Sequence, residues 1–317
     1  MAKLSVTGAA TAGLGLIARK PWAVACWALV FLVLLLGPVL ALVSHMAPAL
    51  IDFIHAAKMQ AQTGDEMSPA LMHRMMGLQS GLMGLQLMSW FWSAGVKAVI
   101  CAAVFRAVLH PGQDAFGYLR LGAQELWLAL LFLVEAVLAM IVVVLAALLT
   151  GLVAALLFVI ASKVGGGGGM AIKVVGCVAV LALPVSLIWV ALRLSMAAPM
   201  TFADKTFRLF ESWSLTRGKA WSLLGIAVLT VIFVILIEML VEGVSFGALF
   251  LLGAPHMAKA DPEQVMALLE QSPMVLLHRF WPWVAGLGVI WSMMAAIIVT
   301  VFCAPWAAAY KALTSEA

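Results

Sequence analysis

Long apolar runs, separated by short breaks rich in charge, glycine or proline, set the pattern of this chain. A helix crosses a bilayer with about 20 apolar residues. Six runs reach that length, at roughly 21–44, 82–107, 125–149, 171–193, 221–251 and 283–307. They are continuously apolar rather than alternating, which excludes a transmembrane β-barrel. The third is the awkward one, because the chain stays apolar from Leu126 to Ser162. A long tilted helix that leaves the membrane is the preferred reading, and a re-entrant half starting near Thr150-Gly151 is the rival. The run Gly165 to Gly169 is a flexible connection rather than helix.

The breaks carry helix signals of their own. Ser68-Pro69, Ser272-Pro273 and Asp261-Pro262 each read as an N-cap followed by proline at the first helical position. They predict short surface helices within the outer connections 45–81 and 254–282. On the other side, Thr201-Phe202-Ala203-Asp204 reads as a capping box. It opens an amphipathic interfacial helix through Thr216, with Phe202, Leu209, Phe210 and Trp213 against Asp204, Arg208 and Glu211. Gly218 is placed to end it.

A pattern recurs three times. A basic or glycine-containing turn leads to a tryptophan and then into a span: Arg19-Lys20-Pro21-Trp22, Gly122-Ala123-Gln124-Glu125-Leu126-Trp127 and Arg217-Gly218-Lys219-Ala220-Trp221. The return spans end alike, with Val104-Phe105-Arg106 before Pro111, Leu192-Arg193 before Pro199, and Val301-Phe302-Cys303 before Pro305. In the first and third units Ser68-Pro69 precedes His73-Arg74 and Ser272-Pro273 precedes His278-Arg279; the middle unit carries the glycine run instead. The expectation is one polytopic membrane domain over 1–317, an all-α integral membrane protein. Its six spans form three hairpins, in units of roughly 1–111, 112–199 and 200–317, each preceded by an interfacial segment. All enter from the same side, so the repeat is parallel and the arrangement pseudo-threefold, unlike the inverted repeats of many transporters.

Composition agrees with that class. Hydrophobic residues make up 65% of the 317 and charged residues 10%, whereas soluble domains run at about 45–50% and about 25%. So few charges cannot cover a soluble surface, which excludes a soluble enzyme or a disordered chain. With the N-terminus inside, Lys3, Arg19, Lys20, Arg106, Arg120, Arg193, Lys205, Arg208, Arg217, Lys219 and Lys311 face the cytoplasm, against Lys58, Arg74, Lys163, Lys173, Lys259 and Arg279 outside. Basic residues favour the inner side, so both termini are expected to be cytoplasmic in a bacterial inner membrane. The run from Trp22 to Val43 is too long for a signal-peptide core and is read as an uncleaved span. Cys26, Cys101, Cys177 and Cys303 all lie in apolar runs without a CxxC spacing; they read as packing residues, with no disulfide framework or zinc site.

The segment Leu192-Arg193 to Pro199, followed by Glu211-Ser212-Trp213-Ser214-Leu215-Thr216-Arg217-Gly218-Lys219-Ala220-Trp221, resembles the membrane domain of some bacterial glycerophosphoryl diester phosphodiesterases and of related stand-alone multi-span proteins of unassigned function. The resemblance is specific over 192–221 and extends loosely, through the span layout, to the rest. It implies a membrane-embedded module. The catalytic barrel of that family has no counterpart here, so the resemblance implies no phosphodiesterase activity.

Three ionisable residues fall near mid-span: Lys97, Glu135 and Glu238, with Glu242 one turn beyond Glu238 on the same face. A charge at mid-bilayer costs about 2.5–3.5 kcal/mol on insertion scales. They read either as an interhelical clamp, with Lys97 paired to one carboxylate, or as a proton relay or polar cavity wall. His73-Arg74 and His278-Arg279 outside, and Lys205, Arg208, Arg217 and Lys219 inside, are candidate anionic-lipid sites, because arginine holds a phosphate through a planar fork; the alternative is ordinary interfacial snorkelling. Among twelve tryptophans, Trp22, Trp127, Trp221, Trp281 and Trp306 sit at span ends as an aromatic belt. The methionines Met67, Met72, Met75, Met76, Met83 and Met88 form no regular MxxM array with histidines and read as adaptable packing, so no metal or cofactor is expected.

No GxxxxGK[ST], HExxH or GxSxG motif is present. The chain is therefore expected not to be an enzyme. It reads as a non-enzymatic module that interacts with membrane lipids or assembles with another membrane protein, without nucleic acid. A transporter or lipid-translocating channel using Lys97, Glu135, Glu238 and Glu242 is the alternative.

Overall fold

The computed structural model describes residues 5–34, 69–112, 115–163, 185–257 and 273–316, together with Asp52, Phe53, Ala56 and Gly176. Almost all of them are helical, and no strand occurs among the described residues. Five helical stretches are long and apolar enough to cross a membrane, or six if the bent pair near the N-terminus is one span. The protein is an all-α, multi-pass membrane protein.

Ser5 caps α1 (Val6–Ala10) by accepting the Gly8 amide at 3.1 Å. α2 (Ala12–Arg19) follows after Thr11. Pro21 then forces a break, because the residue before a proline is driven out of helical geometry. Lys20 obeys, at φ −133° and ψ 55°, and α3 (Pro21–Leu34) departs at 98° to α2. Two helices of sharply different direction are thereby joined at one residue. The first predicted span, 21–44, is described as far as Leu34; its remainder lies outside the described residues.

α4 (Pro69–Leu109) and α10 (Pro273–Glu316) begin at the two prolines singled out from the sequence. Neither contains a separate surface helix. Each runs unbroken from its proline through its span, so the short outer helices expected at Ser68-Pro69 and Ser272-Pro273 are corrected to the first turns of long ones. No strong breaker separates Pro69 from the span, and the helix propagates. The Asp261-Pro262 start lies outside the described residues.

α5 (Ala123–Lys163) is continuous through Thr150-Gly151. Thr150 keeps its hydroxyl satisfied by donating to Ala146 O at 2.8 Å. At 41 residues and about 1.5 Å per residue, the helix exceeds a hydrocarbon core of about 30 Å; one long helix forms, and the re-entrant break at Thr150-Gly151 does not. Of the fourth predicted span, 171–193, the described part is Gly176 and α6 (residues 185–194). α7 (Ala197–Asp204), the short α8 (Ser212–Leu215) and α9 (Ala220–Met257) complete the order.

The single amphipathic helix expected from Thr201 to Thr216 does not form. Thr201 is inside α7, wholly buried, and its hydroxyl closes a turn by accepting the Arg208 amide at 3.1 Å. Lys205 takes a left-handed φ of 56° and ends α7. Gly218, at φ 77°, turns the chain into α9.

α3, α5 and α9 start, and α4, the 185–204 stretch and α10 end, at one common end of the bundle. The core collects there: Trp27, Ile100, Phe105, Tyr118, Leu128, Leu131 and Phe202 are fully enclosed, beside a second cluster at Met196, Leu223 and Ile226. α2 approaches α10 closely because position 13 is glycine. A Cβ there would stand 2.6 Å from Val301 Cα. Away from this end the helices face outward with Met83, Met88, Leu152, Leu240 and Phe246 exposed, as lipid-facing positions require.

Candidate functional site

The packed end holds two arginines, Arg106 and Arg193, that the sequence marks as ends of return spans and as orienting charges but not as candidate site residues. Arg106, at the end of α4, and Glu125, in the first turn of α5, form an ion pair at 2.5 Å with side chains 3% and 6% exposed. A second nitrogen of Arg106 donates to Tyr118 O at 2.5 Å, and the guanidinium lies 5.4 Å from the Phe202 ring centroid. Around it, the Trp27 indole N–H donates to Gly117 O at 2.7 Å, and the Tyr118 hydroxyl donates to Pro111 O at 3.0 Å. Gln124 donates to Phe202 O at 2.9 Å. This network holds three consecutive left-handed residues, Phe116, Gly117 and Tyr118, at φ 51°, 64° and 65°. Two of them carry side chains that disfavour that region, and the surrounding bonds fix them there.

Arg193, at the end of α6, repeats part of this arrangement. It donates to Thr216 O at 2.8 Å, as Arg106 does to Tyr118 O. Its guanidinium lies 5.1 Å from the Trp189 ring and 5.7 Å from the Trp213 ring, and the two rings meet edge to face at 5.0 Å. Ser212 ties the same connection together, donating to Arg193 O at 2.7 Å and accepting the Met196 amide at 3.1 Å. The Arg193 Nε is buried without a hydrogen-bond partner among the described residues. Trp189 and Trp213 remain partly exposed.

Lys205, Arg208, Arg217 and Lys219 lie on this connection. Lys205 and Arg217 are exposed and Lys219 is half-buried. Arg208 is committed to Asp204 at 2.8 Å. That pair is open to solvent on both sides and contributes at most about 1 kcal/mol. On the opposite end, His73 and Arg74 are exposed on α4, and Arg74 donates to Asp52 O at 3.3 Å. His278 and Arg279 lie on α10, and their side chains are outside the described residues.

The mid-span charges do not converge. Lys97 is exposed on α4, and no ion pair joins it to Glu135, Glu238 or Glu242 among the described residues. Glu135 is half-buried on α5, within electrostatic reach of the Cys101 thiol on α4. Glu238 and Glu242 are on α9, half-buried and exposed respectively. Among the described residues, no ion pair supplies the interhelical clamp expected of Lys97. No group of three or more His, Cys, Asp or Glu side chains suited to a metal ion occurs among the described residues.

No family model matches the chain, and neither a curated protein nor a solved structure matches it.

The Arg106–Glu125 pair had a signal in the sequence: opposite charges at the facing ends of consecutive helices, 19 residues apart. The Arg193 stack had a weaker one, since Trp189 precedes Arg193 by one helical turn on the same face.

Proposed function

We propose that the protein is a non-enzymatic module of a bacterial inner membrane that engages anionic lipid at its packed, cytoplasmic end. The observation that carries this reading is the Arg193 guanidinium between Trp189 and Trp213, on a connection that also presents Lys205 and Arg217 to the surroundings. Tryptophans favour the headgroup depth, and each basic residue near an anionic surface contributes about 1 kcal/mol. The orientation has further support: the described basic residues assigned to the inner side lie at this one end of the bundle. The three-hairpin repeat is part of the proposal. It is supported by Arg106 and Arg193, each closing a return span by donating to the connection that follows. The resemblance of residues 192–221 to membrane domains linked with glycerophosphodiester enzymes points to the same lipid setting.

Brominated lipids test this by quenching tryptophan fluorescence on contact. In reconstituted protein, brominated phosphatidylglycerol is expected to quench more than brominated phosphatidylcholine. The excess is expected to disappear when Trp189 and Trp213 become phenylalanine. Equal quenching by the two lipids would refute the proposal. A transport path along Lys97, Glu135, Glu238 and Glu242 has less support, because these residues sit on three helices without an ion pair among them.

A further inference from the structure

We infer that Cys101 and Cys303 form a thiol–disulfide couple that ties the fourth helix to the last. The two sulfurs lie 2.8 Å apart, and the residues are 202 positions apart in the chain. Both are enclosed, at 2% and 8% exposure. This is more than the separate packing roles read from the sequence. The cause is local: Ala98, Ala102, Ala103, Ala296, Ala304 and Ala307 are all buried around the pair, and small residues let two membrane helices approach closely. The approach places the two side chains nose to nose. A disulfide spans about 2.05 Å, so closure draws the sulfurs together by less than about 1 Å.

The step is a two-electron oxidation. Each thiol gives up its proton, the pair gives up two electrons, and one Sγ–Sγ bond replaces two S–H bonds. The acceptor is an apolar, uncharged oxidant that dissolves in the bilayer, of the quinone class, which takes both electrons and both protons to become a hydroquinone. Enclosure of both sulfurs in a membrane-spanning core selects this class over charged, water-borne oxidants. The consequence is a covalent link between the first and last return spans, at the level where α4 and α10 already pack.

The test uses the intact chain, reduced and then exposed to a short-chain ubiquinone or to diamide, unfolded in detergent with N-ethylmaleimide, and weighed. Two of the four thiols are expected to escape alkylation, with peptide mapping joining Cys101 to Cys303. A Cys26→Ser/Cys177→Ser variant is expected to close equally well, and Cys101→Ser or Cys303→Ser to lose the link. Recovery of both Cys101 and Cys303 in the alkylated form after oxidation would overturn the inference. So would a bond mapped to Cys26 or Cys177. Both readings come from the unmodified protein, so they do not depend on a variant folding.

Discussion

Arg106 and Glu125 meet at 2.5 Å with both side chains almost fully enclosed, and this contact joins the end of one membrane helix to the start of the next. Separating a buried pair leaves one charge stranded, at a cost of about 3–5 kcal/mol. Glu125→Ala and Arg106→Ala are each expected to lower stability by about that amount in thermal denaturation of the detergent-solubilised protein. The double variant Arg106→Met/Glu125→Leu removes both charges and is expected to recover part of the loss. Equal stability of Glu125→Ala and the native chain would show that the pair does not hold the two helices.

The approach of α2 to α10 rests on Gly13. A Cβ at that position meets Val301 Cα at 2.6 Å and Thr300 O at 2.9 Å, both backbone atoms that cannot swing aside. Gly13→Ala is expected to destabilise by about 1–3 kcal/mol. Gly84→Ala, on a helix face with nothing within 4 Å, is expected to be neutral or to stabilise by up to about 1 kcal/mol. Melting curves of the two variants side by side separate packing from propensity.

Trp27 reaches across to the left-handed turn and donates to Gly117 O. Trp27→Phe keeps most of the apolar volume and removes the donor. The orphaned carbonyl costs about 1–3 kcal/mol. A loss below about 0.5 kcal/mol in chemical denaturation would mean that another donor takes over.

The Arg193 stack distinguishes arginine from lysine. A guanidinium lies flat against rings and an ammonium does not. Arg193→Lys is expected to cost about 0.5–2 kcal/mol and to change the emission of Trp189 and Trp213. Fluorescence of the variant in a Trp189→Phe/Trp213→Phe background is expected to show no such change.

Much of the architecture was legible because lipid imposes a simple rule on the chain: each long apolar run must close its own backbone hydrogen bonds as helix. Pro21, Pro69 and Pro273 marked real helix starts. The break at Lys20 followed from Pro21 alone. The segment 201–216 was misread because Thr201 fits a capping pattern, yet its hydroxyl serves a turn inside the fold, and only the buried partners reveal which use wins. The extent of the helices from Pro69 and Pro273 was hidden for the opposite reason, since the second runs on even through Pro282 and Pro305. The Cys101–Cys303 contact could not be read at all: a separation of 202 residues leaves no local trace, and flanking alanines look like ordinary helix. Lys97 and the glutamates stood out by cost, but cost does not say where a partner lies.

The most direct test of lipid engagement at the packed end is native mass spectrometry of the gently solubilised protein with lipid identification. A stoichiometric anionic phospholipid is expected to survive on the native chain and to be lost when Lys205, Arg217 and Lys219 become glutamine, with the fold intact by circular dichroism. A native chain carrying no lipid would contradict it, as would one retaining zwitterionic and anionic lipids equally.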